Sequence, residues 1–429
     1  MHIALVHRKG PAQFRYLAQN FAEDGWKVTL ITQSAESRIR GMKIITYAGG
    51  TAQEVSGPAA GSSLMLPHVS AGSRVAEILS KIASREGAPD IVLGHIAWGG
   101  MLFVKDALPD TPALGYCEYY FQPAGGDSGF DPTESVGLRE LQQMRLRNST
   151  QLTTLDQLDG GISPTHWQRS RYPSLYRPRI SVIHEGIDTN RARPDHSATF
   201  ELPDGTMFAK GDPVITFASR DLEPYRGFPQ FMQAASIIAK RNPEARFVVA
   251  GGDGVSYGKA RDDGLTWREA LMRETALPPD RIHFLGQLPH SSLMRLFQVS
   301  AAHIYLTYPF VLSWSFLEAM SCGCAVIASA TAPVEEVVSD GENGRLVDFW
   351  SPQEIAETTL EILRHPGAFS RMRSAARQTV ISRYGLMSCL NQNRKLIERM
   401  TGTRHQYPAA GIDNRGIYEE KTPTGDIRL

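Results

Sequence analysis

The sequence has no excess of either charge and few cysteines. Its 429 residues contain 45 Lys plus Arg and 45 Asp plus Glu, so the formal net charge at pH 7 is zero. A protein dedicated to nucleic acid neutralises phosphates with an excess of basic residues, and we therefore expect no nucleic-acid partner. The four cysteines lack the paired spacing of a zinc site and predict reduced, partly buried thiols.

Long apolar runs are also missing. No stretch reaches the about 18 consecutive apolar residues that a membrane-spanning helix needs. The N-terminal segment meets charge at Arg8 and Lys9 and lacks the apolar core of a signal peptide. We therefore expect a cytoplasmic protein, and attachment to the inner face of the cytoplasmic membrane stays an open alternative.

Short apolar runs alternate with stretches of helical spacing in the first part of the chain. Residues 2–7 and 27–32 are apolar runs that flank a segment with apolar side chains every three or four positions. A strand, a helix and a strand in this order form a βαβ unit, whose strands are parallel. Further apolar runs follow at 90–95 and 111–116. We predict a doubly wound, Rossmann-like α/β domain over residues 1–195.

The same alternation restarts at Val214, after a polar, Pro-containing stretch at 189–213 that we interpret as a linker. It predicts a second doubly wound parallel-sheet domain over residues 196–385. A helix near 386–400 is expected to cross back to the first domain, and residues 401–429 have the composition of a loosely ordered tail. Open α/β sheets bind ligands at the carboxyl ends of their strands, so we predict two domains that face one another across a ligand-binding cleft.

Two arginines follow the first strand of the second domain. Arg220 and Arg226 lie in FASRDLEPYRGF, and Gly227 opens the next helix. Guanidinium groups bind phosphate bidentately and helix N-termini attract anions, so this loop suits an anionic group. The alternative is a pair of solvated arginines in a surface turn.

A glycine-rich loop follows the second strand of that domain. Gly251, Gly252 and Gly254 lie in VVAGGDG, but the third glycine of a dinucleotide fingerprint would fall on Tyr257. The pattern argues against a nicotinamide enzyme and favours a tight turn between strand and helix.

One acidic residue stands in an otherwise apolar helical segment. Glu318 lies in SWSFLEAM, just ahead of the strand AVIAS. A carboxylate at a helix start beside a sheet can accept hydrogen bonds from the two vicinal hydroxyls of a ribose. The alternative is a Glu at a helix N-terminus that is stabilised by the helix dipole.

Taken together, these motifs resemble the retaining glycosyltransferases of family 4. The resemblance rests on the order and spacing of Arg220, Arg226 and Glu318, with VIHEGID before them and VVSDGENGRLVDF after them. The phrases GYCEYYFQP, GISPTHWQRSRYP and SATAPVEEVV are similar to one bacterial branch of that family. The resemblance implies the GT-B fold, in which two Rossmann-like domains face each other.

The resemblance also implies roles for individual residues. Arg220 and Arg226 would act as catalytic groups that hold the diphosphate of a nucleotide sugar, and Glu318 would bind the ribose. The other substrate-binding positions that it implies, at the base or the phosphates, are Phe284, Leu285, Gly286 and Gly10.

The sequence departs from the family pattern at two places. The family has a second Glu eight residues before the ribose-binding one, and here that position is Phe310, which puts the identity of the donor in doubt. The family often has a His after the strand that here reads PALGYC, and here Glu118 stands there. A carboxylate can hydrogen-bond a sugar hydroxyl or stabilise an oxocarbenium-like centre. His95, after DIVLG, is the second catalytic candidate, with a purely structural role as the alternative.

The implied activity is transfer of a hexose-type sugar from a nucleotide-diphosphate sugar to a glycan or lipid-linked glycan, as in bacterial polysaccharide, lipopolysaccharide or glycolipid synthesis. No Asp-x-Asp motif is present, which agrees with a reaction that uses no metal or other cofactor. Two alternatives stay open: a nucleotide-sugar epimerase of the same fold, and a non-catalytic family member that acts as a binding partner.

An arginine-rich region in the first domain bears on the acceptor. Residues 139–179 contain seven arginines, no lysine and three acidic residues. Such a surface could face an anionic lipid-linked acceptor or make a peripheral contact with the membrane. Ion pairs and a solvated helix face are an equally good interpretation.

Overall fold

The two stretches of alternation form two parallel sheets. The computed structural model describes residues 1–35, 37, 39–49 and 65–402. Its contacts divide the chain into two compact units. Unit 1 comprises residues 1–123, 136–185 and the described chain from 389 onwards, and unit 2 comprises residues 124–135 and 186–388.

Unit 1 is built on a seven-stranded parallel sheet with the order β3-β2-β1-β4-β5-β6-β7. Numbered along the chain, its strands are β1 (His2–Gly10), β2 (Lys27–Ala35), β3 (Met42–Thr46), β4 (Ile91–His95), β5 (Ala113–Tyr116), β6 (Gly160–Ser163) and β7 (Ile180–Val182). Its helices are α1 (Arg15–Glu23), α2 (Leu66–Glu86), α3 (Val104–Ala107), α4 (Leu138–Gln157), α5 (His166–Arg171) and most of α13 (Leu386–Thr401).

Unit 2 has a six-stranded parallel sheet with the order β12-β11-β10-β13-β14-β15 and a separate antiparallel pair, β8-β9. Its strands are β8 (Thr199–Glu201), β9 (Met207–Ala209), β10 (Val214–Asp221), β11 (Arg246–Gly252), β12 (Ile282–Phe284), β13 (Ala302–Tyr305), β14 (Val326–Ser329) and β15 (Arg345–Val347). Its helices are α6 (Phe228–Arg241), α7 (Trp267–Glu274), α8 (His290–Val299), α9 (Trp314–Ser321), α10 (Ala332–Glu335), α11 (Pro352–Arg364) and α12 (Ser370–Thr379).

The strand order reverses direction once in each sheet. In unit 1 the chain moves outwards from β1 to β3 and then returns to place β4 beside β1, and in unit 2 β13 returns to lie beside β10. Loops leave such a switch point in opposite directions, and the space at the carboxyl ends of the two strands is where doubly wound sheets bind ligands. The predicted doubly wound folds are confirmed, and each has one such position.

Two boundaries differ from the predicted ones. The stretch at 189–213, predicted as a linker, folds into the β8-β9 hairpin, and its Phe200, Leu202 and Phe208 lie in the core of unit 2. Each strand of the hairpin is only three residues long, which is too short for a periodic pattern to be clear in the sequence. Residues 124–135 also belong to unit 2, because Phe130 packs between Tyr308 and the aromatic pair at 349–350. Of the expected tail, residues 403–429 lie outside the described part of the chain.

A buried histidine makes the stability of unit 2 depend on pH. His303 in β13 is fully buried, its Nδ1 lies 2.9 Å from Thr216 Oγ1, and burial lowers the pKa of His303 to about 3. An unfolded histidine titrates near pH 6.5, so between about pH 6.5 and 3 only the unfolded chain is protonated there. Stability contributed by this site is therefore lost as the pH falls, at up to about 1.4 kcal/mol per pH unit.

We expect His303→Gln to remove that slope from the unfolding free energy of unit 2. Urea denaturation at pH 6.5, 5.5 and 4.5 measures it. His196→Gln, at an exposed histidine of the same unit, is the control and should keep the wild-type slope. Equal slopes for His303→Gln and wild type would contradict the assignment of a neutral buried imidazole.

Candidate active site

Glu118 stands at the carboxyl end of β5 in unit 1, and two donors hold its carboxylate. Gln13 Nε2 donates to Oε1 at 2.7 Å, and His95 Nε2 lies 3.2 Å from Oε2. The main-chain oxygen of Glu118 accepts a third bond, from Gln168 Nε2 at 2.7 Å. The carboxylate is a quarter exposed, so it is fixed in direction but still reaches solvent. The structure thus brings the predicted pair Glu118 and His95 together.

The carboxylate of Glu118 is held in its ionised form. Burial opposes ionisation, but the hydrogen bonds that the carboxylate accepts, above all from His95 and then from Gln13, outweigh it and keep the pKa of Glu118 below its ordinary value. An ionised carboxylate of low basicity accepts hydrogen bonds and stabilises positive charge, and it is a poor proton donor. The geometry therefore favours an electrostatic role.

The histidines beside Glu118 are fixed by main-chain amides. Ala97 N donates to Nδ1 of His95, so the proton of the neutral ring lies on Nε2 and faces Glu118. His7 packs edge-on against His95, with ring centroids 5.2 Å apart, and Lys9 N donates to its Nδ1. Burial, and then the neighbouring His95, lower the pKa of His7 to about 3. His95 is itself buried and orients Glu118 rather than offering a free reactive surface.

Gly10 ends β1 at the switch point of the first sheet. Its amide donates to Thr32 Oγ1 at 3.0 Å. A Cβ atom there would stand 2.8 Å from a methyl carbon of Leu30, so a larger residue would have to displace the end of that side chain. The implied approach of Gly10 to phosphates stays a prediction.

Arg226 follows β10 in unit 2 and is buried among protein acceptors. Its guanidinium donates to Thr307 Oγ1 at 2.7 Å and Tyr305 Oη at 3.3 Å. It also donates to the carbonyl of Val311 from both terminal nitrogens, at 3.2 and 3.3 Å. Gly227, at φ +70°, follows directly, and a Cβ atom there would lie 2.3 Å from Leu306 Cβ. Arg226 therefore donates these hydrogen bonds to the last residue of β13 and to the loop that follows it.

Arg220, six residues earlier, is exposed, and its guanidinium forms no ion pair with any residue in the described ranges. Its guanidinium carbon lies 5.8 Å from the ring centroid of Tyr257. Arg226 also lies over that ring, at 5.2 Å, and over Phe310, at 5.9 Å. Tyr257 and Phe310 contact one another at 5.1 Å, so an aromatic surface lies beside both arginines.

The glycine-rich loop after β11 is held by carboxylates. Asp221 accepts from Gly254 N at 3.2 Å, and Glu223 accepts from the amides of Tyr257 and Gly258 at 3.1 and 2.8 Å. Amides that cradle a phosphate must be free to point at it. These amides already have acceptors and are not available to a phosphate. The loop runs over residues 253–266 between β11 and α7, so the predicted tight turn between strand and helix is wrong. Its function is to place Tyr257 beside the arginines.

Glu318 lies in the second turn of α9, so the prediction that it stands at a helix start is wrong. Its Oε1 is 2.7 Å from His290 Nε2, at the first position of α8. The Glu318 side chain is 13% exposed and that of His290 37%, which leaves the pair accessible from one side. Sequence reasoning missed His290, and its place directly after Leu288-Pro289, where a helix begins, was the one available signal.

The loop Phe284–Gly286 follows the edge strand β12. Leu285 N donates to the carbonyl of Val249 at 2.9 Å, and Gly251 N donates to that of Gly286 at 2.8 Å. Arg268 lies 5.4 Å from the ring of Phe284. These bonds tie the loop to the carboxyl end of β11, and the chain continues from it to His290 within four residues. Contact of this loop with a base stays a prediction.

Comparison with known proteins decides the family. Residues 24–192 match the family described as "Glycosyl transferase family 4 group", and residues 201–379 match the one described as "Glycosyl transferases group 1". The chain is a family 4 glycosyltransferase of the GT-B fold.

Curated relatives of this glycosyltransferase include D-inositol 3-phosphate glycosyltransferases. That of Mycolicibacterium smegmatis is 28% identical over 256 residues, which are 58% of this chain and 52% of that protein. That of Frankia alni is 27% identical over 260 residues, 59% of each. The chain thus spans about half the length of the curated relatives that it matches.

Solved structures share the fold. Sucrose-phosphate synthase from Thermosynechococcus elongatus has a TM-score of 0.68 at 16% identity, covering 94% of this chain and 99% of its own. HepE from Anabaena, in complex with UDP, has a TM-score of 0.67 at 14% identity, covering 93% and 100%.

The glycosyltransferase shows no group of three or more His, Cys, Asp or Glu side chains that could hold a metal ion among its described residues. Metal independence stays a prediction, since that finding does not test it. Within the same ranges no helix is both long and apolar enough to cross a membrane. All four cysteines are free and buried, as predicted.

The arginine-rich region of the glycosyltransferase is partly structural. Arg169, Arg177 and Arg179 donate to main-chain carbonyls within unit 1. Arg147 lies over the ring of Phe121. These hydrogen bonds give Arg169, Arg177 and Arg179 a structural role within unit 1, but their carbonyl acceptors do not neutralise the positive charge.

Proposed function

We propose that the chain transfers a sugar from a nucleotide-diphosphate sugar to a glycan or lipid-linked glycan, with retention of configuration. The observation that carries the proposal is Arg220, an exposed guanidinium without a carboxylate partner in the described ranges, at the switch point of the second sheet. The solved complexes of HepE with UDP and with UDP-glucose support a donor of this class. Glu318, held by His290, is assigned to the ribose hydroxyls.

In the proposed reaction the bond between the anomeric carbon and the diphosphate oxygen breaks. The acceptor hydroxyl forms the new bond on the same face of the sugar, and its proton goes to the departing diphosphate. Arg220 stabilises the negative charge that develops on the diphosphate, and the buried Arg226 contributes a second positive charge. Ionised Glu118 stabilises the positive charge that develops on the sugar ring or orients a hydroxyl. No metal or other cofactor is required by this scheme.

The location and acceptor class follow from the same proposal. A lipid-linked acceptor would bring the protein to the inner face of the cytoplasmic membrane, with the exposed arginines of α4 towards anionic lipid. Flotation with anionic liposomes tests this contact, and binding that is absent or insensitive to salt would contradict it.

A thermal-shift screen of UDP, GDP, ADP and their sugars tests the donor class, because a ligand that binds the folded state raises its stability. We expect one nucleotide family to raise the Tm clearly. Sugar transfer to an added glycan then separates a transferase from an epimerase, which would release nucleotide without an acceptor. No shift with any nucleotide would favour the non-catalytic binding partner.

Arg220→Gln should abolish most of that shift and leave the Tm of the free protein unchanged, because Arg220 is exposed and holds no part of the fold together. A charge-assisted hydrogen bond contributes about 1.5–3 kcal/mol, so nucleotide affinity should fall at least about tenfold. Arg371→Gln, an exposed arginine of α12, is the charge-matched control. A full nucleotide shift in Arg220→Gln would refute the phosphate assignment.

A further inference from the structure

An exposed arginine stands at the switch point of the first sheet. Arg8 lies near the end of β1, and its guanidinium is 4.8 Å from the ring centroid of Trp98, which follows β4. Trp98 is itself 37% exposed. Stacking on an indole fixes the plane of a guanidinium and leaves the N–H groups at its edge available. Trp98 thus holds Arg8 through a ring contact, and no acceptor among the described residues takes the N–H groups of its guanidinium.

Polar groups surround this arginine. Burial, followed by the charge of Arg8, lowers the pKa of His68, which lies in the first turn of α2. The charge of Arg8 also acts on Tyr47, directly after β3. Burial raises the pKa of Tyr47, and the charge of Arg8 partly offsets that rise. His68 is therefore uncharged at neutral pH, and Lys9 beside Arg8 is exposed. No carboxylate of the described residues forms an ion pair with Arg8, so within those ranges its positive charge is not paired.

The same arginine is connected to Glu118 through a short series of contacts. Trp98 packs against His95, with ring centroids 5.9 Å apart, and His95 holds the carboxylate of Glu118. All these groups lie in unit 1, at the carboxyl ends of β1, β3, β4 and β5. A molecule with a hydroxyl group near Glu118 would therefore lie beside the guanidinium of Arg8, which Trp98 already holds in position.

We propose that Arg8 is the anion-binding residue of an acceptor subsite, and that the acceptor sugar or polyol carries a phosphate or carboxylate group. The inference rests on the proposed function, because it names the class of acceptor for the same transfer. An arginine fork matches either anion with two parallel hydrogen bonds. The phosphate can belong to a soluble sugar phosphate or to a lipid-linked sugar, since both present the same group to Arg8.

The test measures binding of three soluble probes, glucose 6-phosphate, glucuronate and glucose, by isothermal titration calorimetry. Wild-type protein should bind the two anionic probes more tightly than glucose. Arg8→Gln should weaken both anionic probes roughly tenfold or more and leave glucose unchanged, because only the charge-assisted bonds are lost. Arg15→Gln makes the same charge change at an exposed position of α1 and should match wild type. Arg8→Lys keeps the positive charge and should bind the anionic probes more tightly than Arg8→Gln. This comparison separates the effect of the lost charge from an effect of impaired folding.

Equal affinity of wild type and Arg8→Gln for the anionic ligands would overturn the proposal. A preference for glucose would also overturn it, and so would failure of both the soluble anions and a polyprenyl-diphosphate-linked sugar to bind. A polyprenyl-diphosphate-linked sugar in detergent micelles distinguishes the lipid source from the soluble one, and tighter binding of either supports the shared chemistry. No donor is present in these titrations. A failed nucleotide screen with intact Arg8-dependent binding would therefore count against the donor assignment alone.

Discussion

Replacing Glu118 by Gln should lower kcat by at least about 100-fold and leave nucleotide binding unchanged. The amide has nearly the shape of the carboxylate, but it carries no charge to stabilise an oxocarbenium-like centre, and loss of one preorganised electrostatic contact costs about 100- to 1000-fold in kcat. The partners of Glu118 are Gln13 and His95 of unit 1, so the residues assigned to the nucleotide are not disturbed. Single-turnover kinetics with saturating donor measure the effect.

Two variants sharpen this test. Glu77→Gln changes an exposed carboxylate on α2 of the same unit and should keep wild-type kcat. Gln13→Ala removes one of the two donors, so the pKa of Glu118 should rise and the acid limb of the pH–rate profile should move to higher pH. Near wild-type turnover in Glu118→Gln would show that the carboxylate has no part in the chemical step.

The fold was predictable because its signals are local. Apolar runs such as residues 90–95 and the break before Val214 depend on neighbouring residues only, and they fixed the two doubly wound sheets. The β8-β9 hairpin was mistaken for a linker because Phe200 and Phe208 are buried through contacts with distant parts of unit 2. Residues 124–135 fell within the predicted first domain, because nothing local shows that Phe130 packs on Tyr308 of unit 2.

The sequence indicated which residues belong to the candidate site, but it did not indicate their environments or their contacts. Spacing identified Arg220 and Arg226 as a pair, yet the structure gives them different environments. The burial of Arg226 depends on Tyr305 and Thr307, which are 79 and 81 residues away along the chain. His290 lies 28 residues before Glu318, so no local pattern could reveal their contact.

Glu223 is the second position where we expect a large effect. Its carboxylate has no exposed surface and accepts from the amides of Tyr257 and Gly258. Burial raises the pKa of Glu223, against the opposing effect of those amides and of Arg226. Glu223→Ala leaves the two amides without their acceptor and the buried Arg226 without its nearby negative charge. We expect a loss of about 3 kcal/mol in the unfolding free energy.

Urea denaturation measures this loss, and Glu244→Ala, at an exposed Glu of the same unit, should stay within about 0.5 kcal/mol of wild type. Glu223→Gln keeps an oxygen acceptor for the amides and should lose less than Glu223→Ala. Nucleotide affinity should fall in Glu223→Ala as well, because Tyr257 then loses the anchor that places it beside Arg220. Wild-type stability in Glu223→Ala would mean that the loop keeps Tyr257 in place by other contacts, and the arginines would not need this carboxylate.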